Sequence, residues 1–507
     1  MRPEIGAQPW NPPVVRDLIF RLQPAAQTSL QGQIREQLIS AMAGGQLPAN
    51  ERLPSSRTLA KALGVSRNTV TFAYQSLIDD GFLLGRERSG YYVNAAMIGE
   101  RVPAQHKRAD NQVDWSARLR LRPSKQPNID KPANWTSQRY PFIYGQVDLS
   151  LFPIAEWRDC SRLALGRKWL DDWAADHHAS DDPMLVEQIR TRLLPRRGVM
   201  ANENEILITM GAQQALYLLA NLLVTPRTSV ALENPGYPDV RNIFALATDR
   251  VIPQPVDEAG IIVDDRLDAC DILYATPSHQ APTTVTMSES RRLQLLERAS
   301  AADFVIIEDD YEFETNFVSA PSPALKSLDR DGRVIYVGSL SKTLFPGLRL
   351  GYLVAAPEVI SEARALRRLM VRHPPNINQR TAALFLQLGH HDALVMRLRR
   401  AYGQRWEAIA AAAARHLPQF VRTRSLGGSS IWLEGPKSLD TIRLAQDALT
   451  AGVVIEPGDI YFAERPARRN FCRLGFSSIP LDRIEPGIQI LAGKVREQLG
   501  VEVSHAV

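Results

Sequence analysis

Residues 338–352 read Gly338-Ser339-Leu340-Ser341-Lys342-Thr343-Leu344-Phe345-Pro346-Gly347-Leu348-Arg349-Leu350-Gly351-Tyr352, directly after the apolar run Val334-Ile335-Tyr336-Val337. A short apolar run rich in β-branched residues, closed by glycine, predicts a strand buried on both faces, as in a parallel sheet. Lys342 falls just past that strand between small hydroxyl residues, and Arg349 follows within the same loop. A lysine so placed can form an imine with a carbonyl compound. The planar fork of an arginine suits a phosphate. A loop lysine in solvent is the plain alternative, and it loses ground once the neighbouring strand ends are counted.

Open α/β sheets gather their ligands at the carboxyl ends of their strands, and three further strand ends carry informative residues. Glu205-Ile206-Leu207-Ile208-Thr209 runs into Gly211-Ala212-Gln213-Gln214, a strand, glycine turn and helix start that offers free N–H groups to an anion. Asp303-Phe304-Val305-Ile306-Ile307 ends in Glu308-Asp309-Asp310-Tyr311. A carboxylate at such an edge could serve a metal, a general base or a ring nitrogen, or form a solvated turn. Phe471-Cys472-Arg473-Leu474-Gly475 places Arg473 on the fourth strand end, where a structural surface arginine is the plain reading. From Tyr140 onward, apolar runs alternate with amphipathic helical patterns. The expected class is therefore α/β with a mainly parallel sheet.

The first hundred residues read differently. Leu30, Ile34, Leu38 and Met42 share one helical face that Gly44-Gly45 ends. Leu53-Pro54-Ser55-Ser56-Arg57 opens a second helix with capping serines and with Leu59, Ala60 and Leu63 inward. Gly64-Val65-Ser66 is a turn, after which a third helix buries Val70, Ala73, Tyr74, Leu77 and Ile78. Its other face carries Arg67, Asn68, Thr71 and Gln75, which are long enough to reach base edges. Phe82-Leu83-Leu84 and Tyr91-Tyr92-Val93 flank a basic, glycine-containing tip, the pattern of a wing beside a groove. The order is that of a winged helix-turn-helix, against a structural cap of packed helices.

Length and composition fit this division. The 507 residues suit a small module plus a large one, and 45% hydrophobic with 23% charged residues is ordinary for a globular chain. A net charge of +5 permits nucleic-acid binding without establishing it. Cys160, Cys270 and Cys472 are scattered and lack metal-ligand spacing, so no metal is expected and a reducing cytoplasm is. No signal peptide or membrane span is apparent, and no membrane partner is expected. The expected boundaries are 15–94 for the winged helix, 95–134 for a basic flexible linker and 135–507 for the large domain. The linker's lysines and arginines either follow a DNA backbone or simply stay solvated.

LPSSRTLAKALGVSRNTVTFAYQSLIDDGFL with the trailing GYYV resembles the GntR type of winged-helix regulator, which implies DNA contacts from Arg57, Arg67, Asn68, Thr69 and wing-tip Gly90. GSLSKTLFPGLRLGY resembles the cofactor-lysine segment of fold-type I pyridoxal-phosphate aminotransferases. Together the two segments resemble the MocR/GabR subfamily of GntR regulators along nearly the whole chain. That resemblance implies a three-layer α/β/α domain with a small C-terminal subdomain. It implies pyridoxal 5′-phosphate held by Lys342 as an internal aldimine. Asp309 would pair with the ring nitrogen, Tyr311 would bond the ring oxygen, and Tyr237 would stack on the ring. Gly211, Ala212, Gln213, Ser339 and Arg349 would cradle the phosphate. His279 and Gln280 would sit at the cofactor's edge, and Arg473 would receive an effector carboxylate.

The resemblance further implies a domain-swapped homodimer on promoter DNA that senses an amine or amino acid. The alternatives are an active aminotransferase with an appended DNA-binding module, or a sensor of the cofactor itself. Turnover is expected to be weak at most. In Asp176-His177-His178-Ala179-Ser180-Asp181-Asp182-Pro183-Met184-Leu185-Val186 the tyrosine, glycine and arginine usual in the enzymes are missing. A contact to the partner's cofactor is then lost or supplied by His177 or His178.

Overall fold

The computed structural model describes residues 22–23, 28–86, 89–97, 113–317, 322–423 and 427–500. The predicted wing-tip pair Glu87 and Arg88, the first residues of the predicted head and linker residues 98–112 lie outside the described residues. The chain forms two compact units that divide between Arg118 and Leu119.

In the first unit three helices form where serines cap them. Ser29, Ser55 and Ser66 each accept an N–H from the first turn of Leu30–Gly44, Ser56–Leu63 and Arg67–Asp79. Gly64 ends the second helix at φ 67°, a left-handed conformation that glycine adopts without a Cβ penalty. Ile34, Leu38, Met42, Leu59, Val70, Tyr74 and Leu77 are buried in one core. Each such side chain contributes roughly 1.5–3 kcal/mol. Ile78 and Leu63, expected inside, are half-buried at its margin. Strands β1 (Arg52–Leu53), β2 (Leu83–Arg86) and β3 (Gly90–Val93) form an antiparallel sheet in the order β1-β3-β2. This is the winged helix-turn-helix.

The second unit opens with β4 (Tyr140–Pro141). Its main sheet contains β5 (Ile206–Thr209), β6 (Val230–Asn234), β7 (Val251–Asp257), β8 (Gly260–Ile261), β9 (Ile272–Ala275), β10 (Val305–Asp310), β11 (Val334–Ser339) and β12 (Gly351–Val354). The spatial order is β5-β12-β11-β10-β9-β6-β7-β8; β12 runs antiparallel to both neighbours and β8 folds back on β7. The remaining pairs are parallel. Helices cover both faces. Ala212–Leu223, Pro238–Ala245 and Pro357–Val371 pack on Leu207, Ile307, Val337 and Leu353. Glu289–Ala302 packs on Leu273, Ile306 and Val334 from the other side. A smaller subdomain follows, with β13 (Val421–Arg422), β14 (Ser430–Glu434), β15 (Val453–Val454), β16 (Glu456–Pro457) and β17 (Phe471–Gly475). Its sheet order is β13-β14-β17-β16, while β15 pairs with β4. The architecture is the three-layer α/β/α fold with a small C-terminal subdomain.

Two stretches behave differently from their composition. Residues 119–134, expected as part of a free linker, belong to the large unit. Gln126 donates to the Asn242 carbonyl at 3.2 Å, Asn242 donates to the Pro127 carbonyl at 2.8 Å, and Ile129 packs beside Trp432, Tyr461 and Phe471. Apart from a 3-10 turn at Pro123–Lys125 this stretch is irregular, and polar side chains anchor it by hydrogen bonds. In the altered 176–186 stretch the work is done by carboxylates. Asp181 is buried between Arg364 and Arg367, each at 2.6 Å, and accepts the Ile208 N–H at the heart of β5. Asp182 caps the helix Pro183–Gln188 and pairs with Arg380 at 2.6 Å.

Candidate functional site

A cleft of about 170 Å³ opens at the carboxyl ends of the parallel strands. Lys342, Asp309, Tyr311, Tyr237, Ala212, Gln213, Ser339 and Arg349 all line it, although they come from separate strand ends. Strand alternation sorts the acids of β10. Asp309 shares the cleft face with Ile307, while Glu308 and Asp310 share the opposite face with Ile306.

Asp309 accepts the Tyr274 hydroxyl on Oδ2 at 2.8 Å, and its buried Oδ1 has no partner. Burial pushes its acid up to about 7. On the other face Arg197 pairs with Asp310 at 2.6 Å, helped by the Tyr336 hydroxyl, and holds that acid low. Lys342 is half-buried because the cleft reaches it, with its ammonium 4.0 Å from the centre of the Tyr144 ring. Burial, opposed by the Glu312 charge and reinforced by Arg473 and Lys131, lowers its amine to about 8.

Gly211 begins the helix Ala212–Leu223 with no side-chain cap, so the first N–H groups are free for an anion. Arg349 lies across that start. A Cβ at position 211 would come within 2.9 Å of its Nη2, and Nη2 donates to the Met210 carbonyl at 3.1 Å. The Tyr237 hydroxyl and the Gln213 amide both donate to Asp239, at 2.8 and 3.2 Å. Arg473 is buried on the Tyr144 ring, 3.2 Å from its centre, with Nε on Ser430 Oγ at 2.9 Å and Nη2 without a partner.

Two expected residues lie elsewhere. The Gln280 amide is consumed by its own loop and by the end of β6. It donates to Glu233 and to the Pro235 and Ala281 carbonyls, and accepts from Thr283, while Ala281 takes the place on the cleft wall. The His279 ring is buried in an adjoining recess beside Arg197 and Phe313, and only its backbone carbonyl meets Tyr311, at 2.8 Å. His177 is exposed, with its ring 3.1 Å from the Asp171 carbonyl.

Sequence reasoning passed over Tyr144, Gly145, Tyr274 and Ser341 on the cleft wall. Tyr274 was legible as the inward residue of the apolar run Ile272–Ala275 just before the Pro277 loop. Tyr144 sits in irregular chain, where no periodicity marks it.

In the head, Arg57, Arg67 and Asn68 are exposed and Thr69 is half-buried. The Thr69 N–H and hydroxyl engage Ser66 Oγ at 3.1 and 2.8 Å, so this residue fixes the helix start. Gly90 closes the wing opposite Arg86 at φ 111°. Phe72, 59% exposed on the third helix, joins the polar face without having been anticipated.

The family model for bacterial regulatory proteins of the gntR family matches residues 30–93, and that for aminotransferase class I and II matches residues 181–489. Over 477 residues the chain is 44% identical to the HTH-type transcriptional regulator TauR of Rhodobacter capsulatus, spanning 94% of this chain and 99% of that one. The chain belongs to the MocR/GabR subfamily of GntR-type regulators. The probable rhizopine catabolism regulatory protein MocR of Rhizobium meliloti is 30% identical over 92% of this MocR-type chain. The large unit of this regulator is also similar to the α-aminoadipate aminotransferase LysN of Thermus thermophilus, solved with N-(5′-phosphopyridoxyl)-L-leucine. That likeness has 27% identity and a TM-score of 0.70, over 77% of this chain and all of the other. The MocR-type regulator thus joins a DNA-binding head to an aminotransferase fold. Among the described residues no helix is long and apolar enough to cross a membrane.

Proposed function

We propose that this transcription regulator binds pyridoxal 5′-phosphate in the cleft at Lys342 and reads an amine or amino acid there, changing its hold on promoter DNA. The observation that carries the reading is the convergence of three groups in one cleft. These are the Lys342 amine of lowered basicity, the unpartnered Asp309 Oδ1, and Arg349 across an uncapped helix start. They suit an aldehyde, a ring nitrogen and a phosphate respectively.

When bound, the cofactor supplies a carbonyl carbon for which the lysine and an incoming amine compete. Lys342 presents its amine from the loop after β11, with the Tyr144 and Tyr311 rings 4.0 and 5.9 Å away. Asp309, oriented by Tyr274, holds a proton on the ring nitrogen. Arg349, with Ser339 and the N–H groups after Gly211, grips the phosphate. Tyr237, anchored through Asp239, covers the ring. Arg473, buried behind the Tyr144 ring with Nη2 unpartnered, would receive an effector's acid group where Tyr144 gives way.

An effector changes DNA affinity only as far as it binds two conformations unequally. In a homodimer with exchanged heads, two reader helices would address two half-sites in the cytoplasm. The test uses Lys342→Ala in the full chain. The yellow absorption of bound cofactor should disappear, DNA binding should persist, and its response to amines should be lost. Retention of that absorption in Lys342→Ala, or its absence from cofactor-saturated wild type, overturns the reading. Steady turnover of amino acids by wild type at ordinary enzyme rates, roughly 1–10³ per second, would instead favour the aminotransferase.

A further inference from the structure

Three cations converge around Tyr144. Lys342 and Arg473 both meet its ring, and Lys131 donates to its carbonyl at 2.7 Å. The two lysines approach the same point: a Cβ at Gly145, on the cleft wall, would lie 3.0 Å from Lys342 Nζ and 3.8 Å from Lys131 Nζ. Buried Glu456 faces Lys131 from 3.8 Å, beyond hydrogen-bond length, while taking the Tyr144 N–H at 3.1 Å and the Tyr461 hydroxyl at 3.3 Å. One of the three Lys131 donors is used on Tyr144 and the ammonium also pairs with Glu456, which leaves one donor for a ligand. Arg473 is 2% exposed, and its Nη2 has no partner. A buried donor left unsatisfied costs free energy that a bound acceptor recovers.

We infer that Lys131 is a second acid-binding residue, which together with Arg473 makes the site select amines that carry a negatively charged acid group. This deepens the proposed function and rests on Lys342 being the place where the effector amine reacts. The amine would sit at Lys342 and the acid beside Tyr144, between the Arg473 guanidinium and the Lys131 ammonium. Residues 119–134, which bring in Lys131, are therefore part of the recognition machinery. Purely acid-free amines would leave the Arg473 donor unpaired and bind poorly.

The experiment compares full-length cofactor-loaded wild type, Lys131→Met and Lys131→Arg. Each is titrated with β-alanine, its sulfonate analogue aminoethanesulfonate, and propylamine as the acid-free probe, following the change in bound-cofactor absorption. Lys131→Met should raise the midpoint roughly 10-fold or more for at least one acid-bearing amine, the size expected when a charged hydrogen-bond partner is lost. Propylamine should be unaffected, and Lys131→Arg should recover most of the loss. Which acid suffers more distinguishes a carboxylate from a sulfonate site. An equal change for all three probes, or none, overturns the inference, because a residue that merely supports Tyr144 would act on every amine. A wild-type midpoint no lower for the acid-bearing amines than for propylamine overturns it as well. Wild type without the bound-cofactor absorption would instead overturn the reading beneath it.

Discussion

Three consecutive acids, Glu308, Asp309 and Asp310, end β10, and the two-residue period of a strand separates their roles. Only Asp309 faces the cleft, and Tyr274 holds one of its oxygens. Asp309→Asn should weaken cofactor retention by about 10- to 100-fold, the range for a charged hydrogen bond, measured by titrating apoprotein and following bound-cofactor absorption. Lys342 gives a pH prediction. Its amine is lowered to about 8, so the neutral, nucleophilic form grows as pH rises through 8 rather than near the usual lysine range. The rate of cofactor attachment should rise from pH 7 to 9 with a midpoint near 8, and a rate still climbing steeply above pH 9 would contradict the enclosed amine.

Elements in this protein begin and end where short side chains decide. The three serine caps and Gly64 were readable because capping is local, reaching only one turn. The 176–186 stretch was not, because its carboxylates act on residues far along the chain. Asp181 joins Arg364, Arg367 and β5, and Arg367 is wholly buried. Removing one partner strands a buried charge. Asp181→Ala should therefore destabilise the large unit by about 3–5 kcal/mol, seen as a lower denaturant midpoint, and a change below about 1 kcal/mol would mean water reaches Arg367. A segment that reads as a defect in an enzyme pattern is here a structural clasp. Asp181 within it anchors β5 to Arg364 and Arg367.

At the scale of the molecule, head and large unit are separate compact bodies, and their functions should separate by mutation. Arg67 is exposed on the reader helix, with only a long 3.5 Å contact to Ser56 Oγ. Arg67→Ala should weaken operator binding by about 1–3 kcal/mol, read by fluorescence anisotropy, and leave bound-cofactor absorption intact. Unchanged operator affinity would remove Arg67 from the reading face. By itself the sequence determined both folds, the lysine, aspartate and arginine of the cleft, and the polar face of the reader helix. Those depend on periodicity, capping and strand ends, which are written into neighbouring residues. Tertiary structure alone decided that Gln280 spends its amide on Glu233 and Pro235, that the His279 ring turns away from the cleft, and that Tyr144 stands between Lys342 and Arg473. It also brought Lys131, from chain that reads as linker, to the cleft wall at Gly145. Such placements arise where segments distant in sequence pack together, and no local pattern in either segment encodes the distance between them.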